Sequence, residues 1–240
     1  MPLQTLEPQR LYRQIAEQLR QLMASGEFAV GSRLPAERDL ALQLGVSRPS
    51  VREALIALEV EGMIEVRTGS GIYVQSTKSQ NRQHSAPASD APTEWGPLEV
   101  MSARIIVESE VAALAAQNAQ KKDLQAIRKA LQKMKLEAAR DEVPRWGDEA
   151  FHEGIAQACG NSVLLDTVQR YWQARNSPLF ERLGDYFEHP ASWQAAITEH
   201  QTVLDAIEAR DSAGARRAMQ KHIKQAYKRY SASWRRAPAR

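Results

Sequence analysis

The sequence predicts a mainly α-helical protein in two parts, a small helical unit closed by a β-hairpin and, beyond a linker, an all-α bundle of about six helices. Three observations carry this. Apolar residues recur at helical spacing through most of the chain, and no alternation of strand with helix interrupts them. The stretch 76–94, STKSQNRQHSAPASDAPTE, has no apolar periodicity and too little apolar surface to fold alone. The expected division is therefore 1–75, a linker over 76–94, and 95–240, and 240 residues suffice for two cores.

In the first part, Leu11, Ile15, Leu19 and Leu22 mark a helix over 9–25 that the Gly26–Gly31 stretch stops. A second helix starts at Pro35, whose fixed φ suits a first turn, and ends at Gly45, which tolerates a left-handed cap. Ser47 caps a third helix, with Ser50 as a rival cap, and Val51, Leu55 and Leu58 form its buried face. Helix, short glycine turn, helix is a helix-turn-helix pattern. The β-prone runs Met63–Arg67 and Ile72–Gln75 flank a glycine-containing loop and read as a hairpin wing.

After the linker the periodicity is helical throughout. Leu98 to Ala115 and Leu124 to Met134 give two long helices, with Pro144 breaking the chain behind them. Four more fit 145–158, 161–176, 191–209 and 212–234, and His189 beside Pro190 reads as a loop residue.

Composition excludes several classes. Hydrophobic residues make up 43% and charged residues 25%, the mean hydropathy is −0.50, and no run of about 18 uncharged apolar residues exists to span a membrane. The N-terminal MPLQTLEPQR lacks the basic-then-apolar order of a signal peptide, so a soluble cytoplasmic protein is expected. Cys159 is the single cysteine, which excludes an internal disulfide and a multi-cysteine zinc module. Any metal must use histidine and carboxylate. The net charge of +3 is weak evidence for a polyanionic partner, and residues 1–76 hold eight Arg against nine acids. The run of basic residues from Arg216 to Arg240 reads as a helix C-terminus with a solvated tail.

Two constellations carry chemistry. Arg48 and Arg52 are four apart near the start of the third helix, where a recognition helix meets base edges, and an arginine fork fits guanine N7 and O6. Ser47 and Ser50 offer hydroxyls to phosphate beside a helix N-terminus. In the second part, Asp148 and His152 stand i, i+4 on one helix, and His200 and His222 lie near the apolar stripes of two others. One Asp and three His from three helices are a bundle's way of building a metal site. Imidazole nitrogens suit zinc first, with nickel, manganese or iron as alternatives.

The run Gly31-x-x-Leu34-Pro35-x-Glu37-Arg38, then Gly45-Val46-Ser47-Arg48-x-x-Val51-Arg52-Glu53-Ala54-Leu55, Leu58-Glu59-x-Glu61-Gly62 and Gly69-x-Gly71-x-x-Val74 resembles the GntR family of bacterial transcription regulators. That resemblance implies a homodimer on a near-palindromic DNA operator, with DNA-contacting roles for Arg38, Ser47, Arg48, Ser50, Arg52 and the wing glycine Gly69. Residues 97–228 are similar to the ligand-binding domain of the family's FadR-type subgroup, through Arg104-x-x-x-Glu108, Phe151-His152, Gly160-Asn161, Glu199-His200 and Asp211 to Ala215. The subgroup's metal-binding branch implies Asp148, His152, His200 and His222 as ligands of one divalent metal. It also implies Arg104 as the clamp for an acidic metabolite effector, with Arg175 and Asn161 as further effector contacts. Trp172-x-x-Arg175-Asn176-Ser177-Pro178 resembles regulators that respond to hexuronates and related sugar acids.

The expected function is a metabolite-responsive repressor. A metal-dependent hydrolase on the same Asp/His₃ set is the competing reading, against which Glu149 and Glu153 stand about 100° around the helix from their neighbouring ligands. A constitutive DNA-binding protein is the third.

Overall fold

The computed structural model of the chain describes residues 10–67, 69–78 and 95–231. Most of the expected linker, with His84, lies outside the described residues, as does the tail beyond 231. The chain divides into two compact units between Pro97 and Leu98.

In the first unit, α1 (Leu11–Ala24) buries Tyr12, Ile15, Ala16, Leu19 and Met23, a single helical stripe. Helix α2 (Glu37–Leu44) begins two residues later than Pro35 suggests, because Ala36 takes the extended cap conformation, and Gly45 ends it at φ +65° as expected. Helix α3 (Arg48–Val60) is capped by Ser47, whose Oγ accepts the Ser50 N–H at 3.3 Å; Ser50 is thereby inside the helix and is not the cap. Val51, Leu55 and Leu58 are fully buried. Strands β1 (Ile64–Arg67) and β2 (Gly71–Val74) pair antiparallel, Ile64 opposite Val74, and turn Ile64, Ile72 and Val74 into the core. Backbone bonds from Gly31 to Val74 and from Leu34 to Ile72, both 2.8 Å, tie the turn before α2 to this wing. Gly71 sits at φ +141° with Arg33 against it, where a Cβ would come within 2.4 Å of Nε.

The second unit contains seven helices among the described residues: α4 (Pro97–Asn118), α5 (Lys121–Ala139), α6 (Arg145–Ala158), α7 (Ser162–Ala174), α8 (Pro178–Phe187), α9 (Pro190–Glu208) and α10 (Ser212–Tyr230). The addition to the expected set is α8. Asn176-Ser177-Pro178 reads as a stop, yet Ser177 is also an N-cap and Pro178 a first-turn residue, so the break is a start. Leu179, Phe180, Leu183 and Phe187 fill its buried face. His189 is likewise more than a loop residue: its ring accepts the Ser192 N–H and caps α9.

Close helix packing fixes where the site residues stand. A Cβ on Gly147 would lie 2.4 Å from the Met134 backbone nitrogen, so α6 presses directly against α5. The buried Glu137 of α5 accepts the Gly147 N–H at 3.0 Å and closes the start of α6. Arg210, in a left-handed conformation between α9 and α10, donates to the carbonyls of Ala116 and Ala119 at the end of α4. No helix among the described residues is long and apolar enough to cross a membrane.

Candidate functional site

Helix α3 holds the first group. Ser47 is exposed, its hydroxyl 2.8 Å from that of Ser50, and the exposed Arg38 pairs only with its neighbour Asp39 among the described residues. Gly69 is exposed in the wing loop at φ +78° with open space where a side chain would stand. The i, i+4 spacing puts Arg48 and Arg52 on one side of α3, but their side chains part. Arg48 is half-exposed and gives only its Nε, at 2.9 Å, to Glu37.

Arg52 departs from the expected base-edge role. It is fully buried, with Nε and Nη2 each 2.9 Å from the Glu37 carboxylate, and burial lowers its pKa while Glu37 opposes the shift. The physical reason is Glu37 itself, a buried carboxylate on α2 that must have a partner. The Arg52 guanidinium on α3 reaches it, and in doing so is withdrawn from solvent.

The second group is in the bundle. Asp148 and His152 come from α6, His200 from α9 and His222 from α10, and one potential ligand atom from each lies within 4.8 Å of all the others. The two Nε2 atoms of His152 and His200 are 3.2 Å apart, and Asp148 Oδ1 is 3.0 Å and 3.5 Å from the His200 and His152 Nε2 atoms. Each Nδ1 faces an acceptor: Glu108 for His152, the Ala196 carbonyl at 2.6 Å for His200, and Glu199 at 2.8 Å for His222. Protons on Nδ1 leave the Nε2 lone pairs pointing inward. Lone pairs and a carboxylate oxygen crowded together repel one another unless a cation stands among them. Asp148 Oδ1 is buried without a hydrogen-bond partner, which agrees with that reading.

Electrostatics support the same centre. Burial, and then neighbouring His200, push His222 down to about 3, so it is neutral as a metal ligand must be. Glu108 is held at about 2, because Arg104 and His152 together outweigh its burial. His152 moves upward, burial being outweighed by Glu108 and Asp148.

Beside the cluster lies a cavity of about 70 Å³ whose lining includes Arg104, Asp148, Arg175, Trp193, His222 and Tyr230. Glu108 takes the Nε of the buried Arg104, whose two terminal nitrogens make no hydrogen bond to the described residues. Arg104 and Arg175 lie 4.7 Å and 4.5 Å from the centre of the Trp172 ring. Arg175 donates to the outer oxygen of Asp148 at 3.0 Å and to Glu188 at 3.3 Å, and Glu188 also accepts the Tyr230 hydroxyl. The buried Trp193 indole N–H has no partner among the described residues.

Asn161 is not brought to this cavity. Its exposed side chain accepts the Val163 and Leu164 N–H groups at 3.0 and 3.2 Å and caps α7, so the structure makes it a cap where an effector contact was expected. Glu199, Glu188, Tyr230 and Trp193 belong to the site although sequence reading gave them no role. Glu199 is adjacent to His200, but its partner His222 is 23 residues away, and no spacing rule links those two.

A winged helix-turn-helix joined to a helical unit with a charged internal cavity defines a DNA-binding regulator with a small-molecule effector domain. The comparisons agree. Residues 11–74 match the gntR family of bacterial regulatory proteins and residues 99–225 match the FCD domain. The chain belongs to the GntR family, and it is a transcription regulator, not an enzyme. It is 35% identical over 219 residues to the Uxu operon transcriptional regulator of Escherichia coli, covering 90% of this chain and 84% of that protein. It is 36% identical over 231 residues to the Exu regulon transcriptional regulator of the same organism, covering 90% and 83%. Among solved structures, a Streptococcus agalactiae GntR chain matches at 25% identity and a TM-score of 0.47, covering 90% of this chain and 99% of that one.

Proposed function

We propose that the protein is a cytoplasmic repressor that leaves its operator when a small organic acid, specifically a hexuronate or related sugar acid, binds beside a divalent metal in the bundle. Asp148, His152, His200 and His222 hold the metal, zinc first among the candidates, and Arg104 takes the effector's carboxylate. The observation that carries this reading is the pairing of two half-finished features. Three imidazole nitrogens converge with an unpartnered Asp148 oxygen, and the adjoining cavity presents the open terminal nitrogens of Arg104. The metal supplies a Lewis-acidic position for an effector oxygen. Arg104 supplies two parallel donors for a carboxylate, and the Trp193 N–H supplies a donor for a hydroxyl. The names of the Uxu and Exu relatives, with the Trp172-to-Pro178 segment, favour sugar acids.

On DNA, a homodimer sets two α3 helices against a near-palindromic site. Arg48 reads a base edge, Arg38, Ser47 and Ser50 approach phosphate or bases, and Gly69 lets the wing backbone come close. Arg52 supports this surface from within. An effector that binds one arrangement of the bundle better than another shifts the population that grips DNA.

Anisotropy titration of a labelled operator, taken from beside the protein's own gene, tests the reading. Galacturonate or glucuronate should release the metal-loaded protein, and a chelator should abolish the response. A metal-free protein that responds equally well would overturn the coordination mechanism.

A further inference from the structure

We infer that Glu37 is a positioning residue for base reading, holding Arg48 by its Nε so that the two terminal nitrogens are presented outward in one orientation. The inference rests on the reading that Arg48 contacts a base, and adds what makes that contact selective. Glu37 belongs to α2 and is 8% exposed, while both its arginine partners belong to α3. One carboxylate serves two guanidinium groups by different edges. Arg52 takes it with Nε and Nη2, which fixes the carboxylate plane inside the α2–α3 contact. Arg48 reaches the same oxygen, Oε1, with Nε alone at 2.9 Å.

The chemistry of the guanidinium gives this division its meaning. Arginine carries five donors in a planar fork. When Nε is committed to a fixed acceptor, the plane of the group is set, and Nη1 and Nη2 remain as a parallel pair that matches guanine N7 and O6. Arg48 makes no other hydrogen bond among the described residues, and its side chain is 48% exposed. An unheld arginine has several rotatable bonds to freeze when it meets a base, at a cost in entropy. Held by Glu37, it meets the groove with fewer orientations to lose. The same carboxylate carries negative charge, and a phosphate drawn to Arg48 would approach it. It therefore penalises contacts in which Arg48 gives up its bond to Glu37 and swings away to a phosphate, which favours the specific complex over the non-specific one.

The test is a specificity ratio, operator against a scrambled duplex, measured with base substitutions through one half-site. Arg48→Ala should lose about 5- to 150-fold of preference at one guanine position. Glu37→Gln should lose at least about threefold at that same position, with non-specific affinity equal or tighter because a negative charge has gone. A merely structural role would weaken both kinds of binding together. In an Arg48→Ala background, Glu37→Gln should change the preference no further.

Because Glu37→Gln removes the counter-charge of the buried Arg52, the comparison is repeated between Arg52→Met and Arg52→Met/Glu37→Gln, which have no buried guanidinium beside position 37. The wild-type complex gives a reading free of mutation: the ¹⁵N-labelled Arg48 Nε–H should stay protected from exchange in both free and operator-bound protein. If Arg48→Ala loses the preference but Glu37→Gln does not, in either background, the inference fails. Loss of Nε–H protection on operator binding also overturns it. If Arg48→Ala itself keeps the preference, the base-reading role of Arg48 is what fails.

Discussion

Glu37 in the small unit and Glu108 in the bundle are built alike. Both are buried, at 8% and 2% exposure, and each binds an arginine and one further basic side chain. They differ in where the second partner faces. Arg48, held by Glu37, is half-exposed and directs its remaining donors at solvent; His152, held by Glu108, is fully buried and directs its remaining nitrogen at Asp148, His200 and His222. The arginine nearest each carboxylate also differs. Arg52 is used up inside the core, whereas Arg104 keeps its terminal nitrogens on a cavity. A buried carboxylate thus sets the orientation of its partners in both units. What those partners are free to meet, solvent outside or a cavity inside, is decided by the surface at their far ends.

The largest effect that sharpens this comparison is on metal binding. His200→Ala removes an inward nitrogen, and Glu108→Gln only loosens the ring that carries another. By calorimetry with Zn²⁺, Glu108→Gln should lower affinity by about 10- to 100-fold, the usual cost of an outer partner, and His200→Ala should lower it further. Glu37→Gln should leave metal affinity unchanged. Equal losses for Glu108→Gln and Glu37→Gln would erase the distinction between an inward and an outward carboxylate.

Acid should weaken the bundle through a second carboxylate. Glu199 is held at about 2, since hydrogen bonds from His222 and Arg229 outweigh the effect of its burial. A carboxyl lowered in the folded state stabilises it above its unfolded value near 4.5, and that contribution is lost as the pH falls from there towards 2. Denaturant unfolding of metal-free protein at pH 5 and pH 3 should show a smaller loss for Glu199→Gln than for wild type. Parallel losses in the two proteins would show that Glu199 is not the group responsible.

The smallest expected effect belongs to a residue outside both networks. Asn161→Ala should cost about 1 kcal/mol of stability, the ordinary value of a helix N-cap, and leave effector affinity unchanged. A weakened effector response at unchanged stability would return Asn161 to the binding site.

Helix spacing makes Asp148 and His152 legible as one face of α6, and the apolar stripes of α9 and α10 place His200 and His222 towards a core, so the four potential ligands are readable as candidates in the sequence. The outer partners are not. Glu199 reaches His222 and Glu188 reaches Arg175 across helix boundaries, and the Ala196 carbonyl is backbone that every residue possesses. Helix α8 was hidden because serine and proline after asparagine are as good a beginning as an end, and only the burial of Leu179, Phe180, Leu183 and Phe187 chooses between them.

By itself the sequence determined the two helical units, the glycine cap at Gly45 and the placing of Asp148, His152, His200 and His222 near the apolar stripes of their helices, because these depend on periodicity and local backbone preference; that the four meet followed from the family resemblance, and Ser47 rather than Ser50 as the cap from the structure. The tertiary structure alone decided the fates of Arg48 and Arg52. Spacing fixes the direction in which a Cβ leaves the helix. A guanidinium lies several rotatable bonds beyond it, and its final place is chosen by the nearest buried charge, which here is Glu37 on another helix.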